Sequence, residues 1–135
     1  MENKSNDSTP KRPEGERILN APLVEMNLYE FIHQIKNEET WANSERNSVT
    51  IFKSDTMRIV LLGLHENAEF PPHTANGVIS IQVLEGNIQL MTDERHSLVG
   101  KGQMVALQKN ILHSVKAMEE SFFLLTLSMS DLEYI

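Results

Sequence analysis

The spacing of apolar positions changes once along the chain. Between positions 27 and 37, Leu28, Phe31, Ile32 and Ile35 fall at i, i+3, i+4 and i+7, the stripe of a short amphipathic helix. Asn27 suits its N-cap and Glu30 follows three positions later, an approximate capping box. Such a stripe reads as packing rather than chemistry. From Ser48 onward the pattern is that of strands: 49–53, 57–65, 78–84, 88–92, 104–107, 112–117 and 122–129 are short β-branched or apolar runs. Turn chemistry separates them at Ser54-Asp55, Glu66-Asn67, Pro71-Pro72, Glu85-Gly86-Asn87, Asp93-Glu94-Arg95, Gly100-Lys101-Gly102, Gln108-Lys109-Asn110 and Glu119-Glu120. A strand and turn every roughly 8–12 residues is the spacing of a sandwich or barrel. No internal repeat is visible. The pattern predicts an all-β fold, a small antiparallel β-barrel or jelly roll prefaced by one helix.

Ahead of the helix the chain loses its apolar positions. Residues 1–17 carry Lys4, Lys11, Arg12 and Arg17 against Glu2, Asp7, Glu14 and Glu16, with Pro10, Pro13 and Gly15 among them. Such a segment buries too little apolar surface to offset its ordering entropy, and it is expected to be a flexible polar tail. A single domain then spans 18–135, with the helix at about 27–37 and the barrel at about 48–130. The length of 135 residues suits one domain, which buries about two-thirds of the surface its unfolded chain exposes.

Composition narrows the function classes. There is no cysteine, which excludes disulfides, thiolate metal sites and cysteine nucleophiles, and suits a reducing cytoplasm. Twelve Lys and Arg against 19 Asp and Glu give a net charge of -7, with no basic stripe, so no nucleic acid is expected as a partner. The longest apolar stretch, 122–129, falls far short of the roughly 20 residues of a membrane-spanning helix. The N-terminus has no apolar core of a secretory signal, and the expected location is cytoplasmic.

Five histidines remain as candidates for metal or acid–base work. His33, on the helix between Ile32 and Gln34, and His96, beside the 93–95 turn, are expected to face solvent. His73 follows Phe70-Pro71-Pro72, whose prolines stiffen the approach to the next strand. His113 sits on the strand after the 108–110 turn, and His65 ends an earlier one. No glycine-flanked serine, inward carboxylate pair or phosphate-cradling glycine loop is present. The seven methionines read as core filler.

Two segments carry a family resemblance. The run HTANGVISIQVLEG, from His73 to Gly86, resembles the first cupin motif: HxH, three or four residues, E, six residues, G. The run GQMVALQKNILHSV, from Gly102 to Val115, resembles the second, a glycine near a strand start followed by PxGxxH. With their flanking strands they cover about residues 49–129. The chain thus resembles the small single-domain cupins, the RmlC-like or cupin type 2 barrels.

Metal-binding cupins take two His and one Glu from the first motif and one His from the second. The first and last of these match His73 and His113, whereas Ala75 stands for the second His and Ile79 for the Glu. Gln108 and Asn110 replace the Pro and Gly of the second motif, a change of turn chemistry only. A divalent transition metal usually needs three or more protein ligands. Strand alternation gives 73, 75 and 79 one parity, so Ile79 and Ile81 are expected to extend an apolar lining.

The favoured expectation is a small-molecule binder whose pocket is formed by His73, His113, Ala75, Ile79 and Ile81, with the two imidazoles as polar anchors. One alternative is a metal-dependent dioxygenase or isomerase holding Zn, Fe, Mn or Ni through His73 and His113, with His65 as a third ligand. The other is a non-catalytic structural or interaction protein with a filled barrel. The resemblance also implies a homodimer. The strands near 59–64 and 122–127 are apolar on both faces, so their outer face needs a cover, either the helix or a second subunit.

Overall fold

The computed structural model describes residues 4–6 and 17–129. The chain runs β1 (Lys4–Asn6), β2 (Arg17–Asn20), α1 (Leu28–Asn37), α2 (Glu39–Asn43), β3 (Arg46–Lys53) and β4 (Met57–Leu64). It continues through β5 (Glu69–His73), β6 (Val78–Glu85), β7 (Asn87–Thr92), β8 (His96–Gly100), β9 (Met104–Leu107), β10 (His113–Ala117) and β11 (Ser121–Ser128). All pairing is antiparallel. A five-stranded sheet has the order β3-β4-β11-β6-β9 and a four-stranded sheet the order β5-β10-β7-β8. Two such sheets face to face make the expected all-β jelly roll.

Alternation sorts the residues of the larger sheet onto two faces. On the inner face Leu62, Leu64, Ile79, Ile81, Val83 and Phe123 join Ile88, Leu90, Val99 and Val115 of the smaller sheet in one buried cluster. On the outer face Val49, Ile51, Leu61, Leu84 and Phe122 pack with Ile32, Ile35 and Trp41 from the two helices. The helical cover is therefore the one the fold adopts over these strands. Helix α1 begins as its sequence implies, with the Asn27 side chain accepting from the Glu30 N–H at 3.3 Å. Phe122 and Phe123 serve opposite faces, and the β11–β6 register shifts between them.

Two further details position the site. Pro71 and Pro72 lie within β5, a sheet-edge strand, where the β5–β10 register shifts between His113 and Val115. Prolines have no N–H for the ladder and are tolerated at edges and bulges. Elsewhere the buried Ser121 hydroxyl ties the start of β7 to the turn before β11. It accepts from the Asn87 N–H at 3.0 Å and lies 2.8 Å from the Glu119 carbonyl and 3.1 Å from that of Asn87.

The expected tail at 1–17 falls largely outside the described residues; its described parts, Lys4–Asn6 and Arg17, are paired in β1 and β2. Beyond the expected elements the structure adds β5, β8, the β1–β2 ribbon and α2.

Candidate functional site

The ends of β5 and β10 bring His73 and His113 side by side as direct cross-strand partners. Their ring centroids are 4.4 Å apart, tilted by 55°. His113 is buried and His73 is exposed, so the pair runs from the barrel wall to its rim. Both rings are held in the same way. His73 Nδ1 lies 2.9 Å from the Pro71 carbonyl and His113 Nδ1 lies 2.9 Å from the Ile111 carbonyl, each two residues upstream. A carbonyl only accepts, so each neutral ring carries its proton on Nδ1 and leaves the Nε2 lone pair as an acceptor. Among the described residues neither Nε2 has a hydrogen-bond partner.

Burial holds the His113 imidazole below its ordinary pKa; the Ile111 carbonyl pulls the other way, and the neighbouring His73 lowers it further. His113 is thus neutral near pH 7.

The loops beside the pair are fastened to one another. Asn110 adopts φ +66° and its N–H donates to the Ala75 carbonyl at 3.0 Å. It therefore meets the conformational demand that glycine meets in the second cupin motif. Gly77, which precedes β6, passes so close to β11 that an added Cβ would overlap the Ser128 carbonyl oxygen. Ala75 packs against the interior cluster, and Ile79 and Ile81 are only 2% and 1% exposed within it. Ala75, Ile79 and Ile81 of the five expected pocket residues therefore share one interior cluster, which Val115 of the His113 strand also joins.

His65 lies elsewhere. Its ring stacks on Trp41 at 3.6 Å, Nε2 donates to the Trp41 carbonyl at 2.7 Å, and Nδ1 faces Glu120 at 3.8 Å. The neighbouring Asn67 N–H bonds to Ala117, at the far end of β10 from His113. Four strand steps separate those ends, about 13 Å. Strand β4 carries His65 away from the imidazole pair, so the structure does not bring it there as a third ligand.

These donors do not fit the resident metal of metal-binding cupins. Among the described residues no three His, Asp or Glu side chains stand together so as to hold an ion. A methyl group and a buried branched chain occupy the positions of the second His and the Glu. His33 and His96 are exposed, as expected.

The AraC-like ligand binding domain matches residues 60–133, over half of the chain. The chain belongs to that family. Solved structures show the same fold around this AraC-like domain. A cupin-2 domain protein from Shewanella frigidimarina superposes with a TM-score of 0.63 at 17% identity, over 76% of this chain and 93% of that one. A conserved protein of unknown function from Streptococcus pyogenes gives 0.62 at 21%, over 66% and 78%. A variant of salicylate 1,2-dioxygenase from Pseudoaminobacter salicylatoxidans gives 0.65 at 14%, over 74% of this chain but 33% of that longer one. No curated protein matches the chain. In this AraC-like domain, a small cupin, the motif histidines meet as the sequence implies. Nothing in the sequence singles out Arg58, the second residue of β4.

Proposed function

We propose that the chain is a binding module that accepts a small organic molecule at the mouth of its barrel, with His73 and His113 as polar anchors. The observation that carries this reading is the matched pair of imidazoles, each with Nδ1 tied to the backbone and Nε2 left as an acceptor. Ile79 and Ile81 belong to the apolar interior cluster that Val115, two residues beyond His113 on β10, also joins. Apolar walls with a few placed polar groups are the usual plan of a small-molecule site. Two such acceptors suit a ligand that brings hydroxyl or N–H donors. Membership of a family of ligand binding domains supports the same reading.

Thermal-shift screening with small acids, sugars and aromatics tests it. A ligand specific for the native state raises the melting temperature, and the shift disappears in His113→Ala. Near-stoichiometric iron, manganese, nickel or zinc in untagged protein, lost in His73→Ala or His113→Ala, would overturn it in favour of a metal-dependent enzyme. That second reading has one specific support: an Nδ1–H bonded to a carbonyl is also how metal-ligating histidines are oriented. A shift-free screen in metal-free protein would favour a filled, structural barrel. We further propose a homodimer in the cytoplasm. Met104, Val78 and Leu98 are 57%, 45% and 70% exposed, apolar surface that a second copy can cover. Sedimentation at the monomer mass alone, at micromolar concentration, would exclude it.

A further inference from the structure

The interior side of β4 is apolar except at one position. Along β4, Val60, Leu62 and Leu64 belong to the interior cluster, whereas Ile59 and Leu61 belong to the helix-covered side. Alternation therefore directs Arg58 to the interior side. Register confirms the row. Arg58 pairs with Leu127, Leu127 with Ile79, and Ile79 with Leu107, all three apolar partners packed on the interior cluster.

This row lies at the end of the barrel that carries the imidazoles. Residues 74–77 connect His73 to β6, and residues 108–112 connect Leu107 to His113. The Asn110–Ala75 hydrogen bond joins those two connections.

Arg58 is half-buried, and its Nε is a buried donor without a hydrogen-bond partner. Its direct cross-strand neighbour is Lys53. Like charges directly opposite one another destabilise a sheet, and a buried unpaired donor costs more. Among the described residues no carboxylate forms an ion pair with either. Both unfavourable features are removed by one anion. A guanidinium Nε–H and its neighbouring Nη–H form the fork that a carboxylate fits with two parallel hydrogen bonds.

We propose that Arg58, with Lys53 beside it, receives the acid group of the ligand, so that the molecule taken up is a small organic carboxylate. This rests on the ligand-binding reading above and narrows it. The carboxylate lies against Arg58, the apolar body against Leu127, Ile79 and Leu107, and donor groups reach the two Nε2 acceptors.

The test is NMR on 15N-labelled full-length protein, with the Arg58 Nε–H resonance assigned by its loss in Arg58→Lys. The probes are acetate, benzoate and gluconate, each beside a neutral counterpart: acetamide, benzamide and glucose. Inorganic phosphate is a separate arm. At least one carboxylate is expected to move the Arg58 resonance saturably, together with the His113 ring protons, while its neutral counterpart does not. Arg58→Gln is expected to weaken that carboxylate tenfold or more. Unliganded Arg58→Gln should melt no lower than the parent, because it removes a charge that has no internal partner. A lower melting temperature would reveal such a partner and overturn the proposal.

The proposal also fails if no carboxylate moves the resonance at roughly 50 mM, which saturates millimolar binders. It fails equally if the neutral compounds move it as far, or if phosphate alone matches the best carboxylate. Neutral compounds that move the His73 and His113 ring signals while Arg58 stays silent would sink the acid assignment and leave the pocket reading intact. A carboxylate that binds Arg58 equally well in His113→Ala would separate the anion from the imidazole pocket, and the proposal would fall.

Discussion

Gly77 is the position where the imidazole-bearing connection touches the large sheet, and Gly77→Ala tests how far the site depends on that contact. A Cβ built there overlaps the Ser128 carbonyl oxygen and lies 3.0 Å from the Ser128 carbonyl carbon and 3.2 Å from Leu127 Cδ1. Leucine can change rotamer, but the carbonyl belongs to β11, paired on both sides with β4 and β6. Relief must come from the connection itself, which carries Ala75 and the bond to Asn110. Overpacking typically costs about 1–3 kcal/mol, and a backbone obstacle places this change at about 2–3 kcal/mol. At roughly 4 °C per kcal/mol for a domain of this size, melting should fall by about 8–12 °C.

Urea denaturation with an unchanged m-value measures the loss, and the His73 and His113 ring resonances report the displacement. Gly102→Ala is the control. Nothing lies within 4 Å of its added Cβ, but φ is +83°, so only left-handed backbone strain of about 1 kcal/mol is expected. A Gly77→Ala protein within about 0.5 kcal/mol of the parent, with unmoved ring signals, would refute the reasoning.

Three other outcomes follow from the geometry. Because the folded-state pKa of His113 is lowered, the unfolded chain binds its proton first on acidification. The associated stability is fully present above the ordinary histidine pKa of about 6.5 and is lost as pH falls through the folded-state value; His113→Gln should flatten that part of a stability–pH curve. Ser121→Ala removes the hydroxyl that accepts from Asn87 and should cost about 1–2 kcal/mol by chemical denaturation. Ala75→His combined with Ile79→Glu restores the missing cupin donors, so nickel or zinc should raise the melting temperature of the double variant and not that of the parent. Identical shifts in both proteins would contradict the donor-set argument.

The fold was legible wherever side chains alternate or where a strand carries enough apolar residues to declare itself. The runs that became β3, β4, β6, β7, β9, β10 and β11 all do so. Strand β5 was hidden by Pro71 and Pro72, which signal a turn unless the strand lies at an edge and bulges. Strand β8 was hidden because its apolar residues are few, and Leu98 remains 70% exposed. The meeting of His73 and His113 came from the motif resemblance, since no spacing rule joins residues forty positions apart. The Trp41–His65 stack had no local signal at a separation of 24 residues. Arg58 sat within a run read correctly as a strand, but the face of a lone cation is undefined until the register is known.

The apolar character of β11 on both faces leaves open what keeps that strand from sliding. A one-residue slip in most strands drives oily groups into water, a large penalty that selects one alignment. Here Phe122 through Leu125 would merely trade one dry compartment for the other. Alignment must then come from groups that discriminate by shape and proton sharing. Ser121 fits only where its hydroxyl meets Asn87 and Glu119, and Gly63 leaves just enough room for the Phe122 ring, with an added Cβ falling 2.7 Å from it. The alignment of the hydrophobic strand is thus set by one small alcohol and one missing methyl.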